Sequence, residues 1–272
     1  MTFDKVVIVD WSGGNDRGPT PKADAIWACV SCDNPIYFRN RQLAEIWLVD
    51  TIERAVRSGS RMLVGFDFPF GYPAGFAPAL CGSSDPLDLW GWFAEHIMDT
   101  PKSNNRFDIA GQINAGLPGI GPFWGNGLQR DIAHLPRKGR DSSAAPFAQM
   151  RAVEHIAKGA FTCWQMSGAG SVGGQIMMGL PVLHRLQQRF APYLSVWPFQ
   201  TADALVTLAE VWPSLVTGPT PTGMIKDAHQ VASTARHFAS LAPDQMAAAQ
   251  SAPEIAAQEG WILGVPPAKV AP

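Results

Sequence analysis

Apolar positions follow a few distinct patterns along the chain, and each predicts a different element. Residues 5–10, Lys-Val-Val-Ile-Val-Asp, and 62–67, Met-Leu-Val-Gly-Phe-Asp, are nearly unbroken apolar runs closed by an aspartate. That is the pattern of strands buried on both faces. A further strand is predicted at about 24–31 and a short one at 36–38, with Asp33-Asn34-Pro35 turning between them. Their short links make the first three strands an antiparallel meander. Between 41 and 57, Leu43, Ile46, Val49, Ile52 and Val56 recur at three- and four-residue spacing, which predicts an amphipathic helix begun by Asn40 and ended by Gly59. A strand reached through such a helical crossover lies parallel to the first. Asp10 and Asp67 are therefore expected together, at the ends of neighbouring strands.

Residues 72–160 are rich in proline and glycine, with short helical patterns only. Asp85-Pro86 opens one helix, to about Met98, and a second fits 106–115. Having no strand set of its own, this segment reads as an insertion or lid on a single domain covering 1–272. The glycine run Ser167–Gly174 then leads into a helix to about Arg189, with strands predicted at 193–198 and 206–211 and a helix at about 226–241. Trp261-Ile262-Leu263-Gly264 closes the core, and no internal repeat is visible.

Composition narrows the function classes. Hydrophobic residues make up 46% of the 272 and charged residues 16%, which excludes a disordered or coiled-coil chain. No stretch reaches the roughly 20 apolar residues of a membrane span, and Met-Thr-Phe-Asp-Lys runs straight into a strand, so no signal peptide and a cytoplasmic setting are expected. A net charge of −2 argues against non-specific holding of long nucleic acid. Only 128–158 is locally basic, through Arg130, Arg137, Lys138, Arg140, Arg151 and Lys158 against Asp131, Asp141 and Glu154. That patch suits a small phosphorylated ligand, or a solvated loop. Cys29 and Cys32 have C-x-x-C spacing but no second pair, and they end a strand, so they read as buried or incidental thiols. His96, His134, His155, His184, His229 and His237 lack metal-ligand spacing.

Aspartates that end apolar strands are costly unless solvated or liganded. Asp10 and Asp67 are thus the first candidates for catalysis and for binding Mg²⁺ or Mn²⁺, which take oxygen ligands. Glu210, ending a late apolar strand, is the third expected metal ligand. Asp227, in the first turn of the last long helix, either assists them or serves the helix dipole. Ser167, Gly168, Gly170, Ser171 and Gly173, with Lys226, form the expected phosphate cradle, since amides at a helix N-terminus bind anions. The same run also fits a turn where a helix packs close on the sheet. Trp11 and Trp124, on predicted loops, are candidates to stack on a base.

The strand–strand–strand–helix–strand order, with acids on the first and fourth strands, resembles the ribonuclease-H-like α/β fold and its mixed sheet. In that fold clustered carboxylates hold divalent metals for phosphoryl transfer. Val9-Asp10-Trp11-Ser12-Gly13, Gly65-Phe66-Asp67-Phe68-Pro69, Ala209-Glu210-Val211-Trp212-Pro213 and Lys226-Asp227 resemble, in order, the motifs of the domain of unknown function 429 family, described as ribonuclease-H-like nucleases. The resemblance implies that Asp10, Asp67, Glu210 and Asp227 occupy its acidic positions. The family often has a second aspartate three residues after the last of these, where this chain has Gln230. The first two motifs also resemble chains labelled as molybdopterin guanine dinucleotide synthesis proteins. The Arg-Met-Gly loop of that pathway's nucleotidyltransferase and a G-x-x-x-x-G-K-[ST] loop are both absent here. The resulting expectation is a metal-dependent phosphoryl-transfer enzyme hydrolysing a phosphodiester or nucleotide. Two alternatives stay open: a non-catalytic nucleotide- or cofactor-binding accessory protein, and an actin-like ATP-dependent phosphotransferase.

Overall fold

Continuous apolar runs can be satisfied only where both strand faces are covered, and the computed structural model, which describes residues 2–139 and 146–267, covers them with helices. Arg140 and Asp141 of the basic stretch lie outside the described residues. β1 (Lys5–Asp10), β2 (Ile26–Val30) and β3 (Ile36–Phe38) form the antiparallel meander. α1 (Arg41–Ser58) crosses over to β4 (Met62–Phe66), which pairs parallel to β1. β5 (Leu194–Val196) and β6 (Val206–Glu210) extend the parallel half. Among the described residues this gives an α/β fold with a mixed six-stranded sheet in the order β3-β2-β1-β4-β6-β5.

The helix boundaries follow their caps. The Asn40 side chain accepts from the Leu43 amide, and Gly59 leaves α1 with φ of 66°. The buried face of α1 keeps only part of the expected stripe: Ile52 is buried, and Val49 and Val56 pack against the core. Ala44, Leu48, Ile52 and Ala55 face the sheet, whereas Leu43 and Ile46 are exposed. Alanines let the helix backbone approach the sheet, so small residues define the contact. The second strand starts at Ile26 because Asp24 holds a left-handed φ of 53°.

Strand alternation assigns each side chain to a layer. Val7, Val9, Val64 and Phe66 face the layer of α1 and α6 (Gly173–Phe190), whereas Val6, Ile8 and Leu63 face α7 (Lys226–Ala239). The 72–160 segment supplies α2 (Phe76–Cys81), α3 (Pro86–His96), α4 (Arg106–Gly116) and α5 (Ala152–Ile156). Trp90, Phe93 and Phe107 from it belong to the same core cluster as the sheet. α8 (Pro243–Ala249) and α9 (Ala256–Glu259) follow α7, and Ile262 bridges to Glu210 beside the sheet. No described helix is long and apolar enough to cross a membrane.

Gly179 sets how closely α6 sits on this core. A Cβ there would lie 2.2 Å from Cζ of Phe68, whose ring is hemmed in by Trp11, Phe66 and Phe70. Gly179→Ala should lower stability by about 1–3 kcal/mol despite alanine's better helix propensity. Urea titration reads this as a lower midpoint at an unchanged slope.

Candidate functional site

The parallel register that pairs Val9 with Phe66 brings Asp10 and Asp67 together at the carboxyl edge of the sheet. Period-two alternation puts Asp10 on the face of Val6 and Ile8, and Asp67 on the face of Leu63. Both carboxyls therefore point to the α7 side, where Asp227 arrives in the first turn of that helix. The two carboxyls lie within hydrogen-bonding reach of each other. Burial beneath the cleft raises Asp10 well above the ordinary carboxylate range, and the charges of Asp67, Asp227 and Asp24 add to the effect. Burial also raises Asp67, to about 7, against the lowering effect of the Trp11 amide, which donates to its Oδ1 at 2.7 Å. Asp227 is raised as well, chiefly by burial, while its Oδ2 accepts from the Asp24 amide at 2.7 Å. Asp24 is thus an acid of this cluster that sequence reasoning missed.

Glu210 does not join them as the expected third metal ligand. It pairs in register with Phe66, one position short of Asp67, so alternation turns it to the opposite face. There Oε1 and Oε2 accept from Arg151 at 2.6 and 2.8 Å, and Oε2 also takes the Phe70 amide. Arg151 is 0% exposed and donates to Glu154 and to the Glu259 carbonyl as well. The Glu259 carboxylate in turn receives the amides of Ala74 and Ala152. This buried set fastens the 72–160 segment to the sheet edge and to the C-terminal region.

Asp10, Asp67 and Asp227 open into a cleft of about 720 Å³, which the glycine run also lines. α6 begins without a side-chain cap, and the Gly174 and Gln175 amides have no acceptor among the described residues. Of the expected cradle, Ser167, Gly168, Gly170 and Ser171 line the cleft, as does Lys226 beside Asp227. The Ser167 hydroxyl is engaged, donating to the Gly125 carbonyl at 2.6 Å. Gly173 is a packing position: its amide binds the Gln165 carbonyl, and a Cβ would meet the Cys163 and Gln165 carbonyls at 2.7 Å. Gly13 packs likewise on α6, where a Cβ would lie 2.7 Å from the Gly174 oxygen.

Trp11 is not a stacking platform, being 1% exposed in the core beside Phe66 and Phe68. Trp124 is absent from the cleft wall. Cys29 is buried and Cys32 exposed, both as free thiols. Gln230 lines the cleft one helical turn beyond Asp227.

No protein-family model, curated protein or solved structure matches the chain.

For a divalent ion the donor chemistry fits at two positions. Asp10 and Asp67 are hard oxygen donors, and one or two carboxylates with waters and ligand oxygens suffice for magnesium. Among the described residues no group of three or more His, Cys, Asp or Glu side chains closes into a metal cage.

Two outcomes follow from this chemistry. Arg151→Met leaves Glu154 and Glu210 buried without their counter-ion and should cost about 3–5 kcal/mol, read by urea unfolding; adding Glu154→Gln and Glu210→Gln should return part of the loss. Folding raises both aspartates, so the native state keeps protons that the unfolded chain releases. Their contribution to stability therefore falls as pH rises from the ordinary value of 3.8 toward about 7. In metal-free buffer, the melting temperature of the wild type should drop relative to Asp10→Asn across that window. Parallel curves would show that the pair is not coupled.

Proposed function

We propose that the chain is a metal-dependent phosphoryl-transfer enzyme on a ribonuclease-H-like sheet, hydrolysing a phosphodiester or nucleotide. The observation that carries this reading is the Asp10–Asp67 pair at adjacent parallel strand ends, across one cleft from the unpartnered amides of α6. The strand order supports the fold assignment, and the short motifs around Asp10, Asp67 and Asp227 support the chemistry. Asp10 and Asp67 would hold Mg²⁺ or Mn²⁺, with Asp227 as an outer acid. Such an ion would neutralise phosphate oxygens and lower the pKa of a bound water. The Trp11 amide orients Asp67, and the Gln175 side chain donates to the Trp11 carbonyl at 2.7 Å, tying that loop to α6. The Gly174 and Gln175 amides face the ligand's phosphate. A net charge of −2 favours a small phosphorylated ligand over long nucleic acid.

A second reading has its own observation. With Glu210 spent on Arg151 and Gln230 in place of an acid, two carboxylates remain at the pair, with Asp227 and Asp24 beside it. A non-catalytic nucleotide- or cofactor-binding protein would retain that arrangement.

Mn²⁺ should raise the melting temperature of the wild type, and Asp10→Asn and Asp67→Asn should abolish the rise. Hydrolysis of bis-p-nitrophenyl phosphate or nucleoside triphosphates should fall about a hundredfold or more in Asp10→Asn. A wild type indifferent to metal overturns the metal site. Nucleotide stabilisation without any turnover establishes the second reading.

A further inference from the structure

Arg106, at the start of α4, is a cation that the core has not paid off with a counter-charge. Its neighbour Arg41 is bidentate to Asp99 and also donates to the carbonyls of Ser12 and Gly14. That leaves Arg106 with neutral partners: Nη1 donates to Asn104 Oδ1 at 2.7 Å, and the guanidinium carbon lies 4.4 Å from the Phe107 ring centroid. Among the described residues it forms no ion pair, and its Nε is buried with no acceptor. Burial pulls its pKa down to about 10, with the Arg41 charge adding to the effect and the Asp99 charge opposing it. The Nε is shut off from solvent, so a ligand in the cleft would be met by the Nη edge of the guanidinium.

The direction in which this donor lies is informative. Arg106 lines the cleft, and its Nε lies 3.2 Å from where a Cβ on Gly174 would sit, beside the first turn of α6. A side chain at Gly174 would stand against the guanidinium; glycine lets the two pack together. Two kinds of anion-seeking group thus meet at one place: a guanidinium with no ion pair, and the free amides that make up the positive end of an 18-residue helix.

We propose that Arg106 is the anion-recognition residue of the cleft, gripping a phosphate group of the ligand together with the Gly174 and Gln175 amides. This deepens the phosphoryl-transfer reading and rests on the same cleft being the ligand site. It makes the cleft two-ended, with the carboxylates at one end and the guanidinium at the other. Such a cleft selects ligands that carry an anionic group in addition to the one presented to Asp10 and Asp67, as a di- or triphosphate does.

Calorimetric titration with pyrophosphate, in buffer containing a chelator, isolates this end of the cleft. The wild type should bind. Arg106→Met, which keeps the stem and drops the charge, should weaken binding about tenfold or more, as expected for a charge-assisted contact. Arg106→Lys should bind with intermediate affinity and guards against a folding defect in the methionine variant. Without ligand, Arg106→Met should melt at or above the wild-type temperature, because the cation serves the ligand and not the fold. Equal affinity in the wild type and Arg106→Met overturns the assignment, as does a wild type that does not bind pyrophosphate. Arg106-dependent binding with no metal effect or turnover would leave this site standing and remove the enzymatic reading. Metal-dependent turnover untouched by Arg106→Met would do the reverse.

Discussion

The parallel pairing of β1 with β4 is the constraint on which the rest of the site depends. It aligns the two strands so that each reaches the sheet edge with its aspartate on the same face. Side by side at the floor of a cleft, both carboxyls are withdrawn from solvent, and that burial is the main reason both are raised. The fold thus creates a local demand for positive charge, by a proton or a cation, that hydrophobic packing alone would never produce. Everything else around the cleft answers that demand or balances it.

The balancing is done away from the pair. Arg151 neutralises Glu210 and part of Glu154 inside the protein, so the acidity of the sheet edge is divided between a sealed set and an open one. The sealed set joins three regions far apart in the chain: α5, the end of β6 and the end of α9. The open set keeps Asp10, Asp67, Asp227 and Asp24 near one another, with their electrostatic cost unrelieved by any neighbouring arginine. A buried ion pair contributes little net stability against an apolar alternative, but it punishes any rearrangement that separates its partners.

Much of this was legible before any coordinates. Runs of β-branched residues ending in aspartate foretold β1 and β4, Asn40 and Gly59 framed α1, and the helical crossover placed Asp10 beside Asp67. The failures share a cause, which is that local pattern does not report which face a side chain takes. Glu210 ends its strand as Asp67 follows its own, yet a register shift of one residue sends it to Arg151. Counting alternation from Phe66 would have shown it. Arg151 itself carried no signal, since its partner Glu210 lies 59 residues away. Trp11 looked like a loop aromatic, but its amide is drawn to Asp67 and its ring follows into the core. The expected stripe of α1 is right at Val49, Ile52 and Val56 but not at Leu43 and Ile46, because Ala44, Leu48 and Ala55 turn the buried face toward them.

Gly13 and Gly174 act as a pair. Beside the Gln175–Trp11 bond, the loop after β1 meets the first turn of α6 backbone to backbone, with no room for even a methyl group at residue 13. The acidic and amide walls of the cleft are therefore held at a separation fixed by main-chain van der Waals radii. Side chains can change rotamer; this contact cannot. It works as a caliper with a fixed jaw, so the length of ligand that reaches both walls is written into two missing side chains.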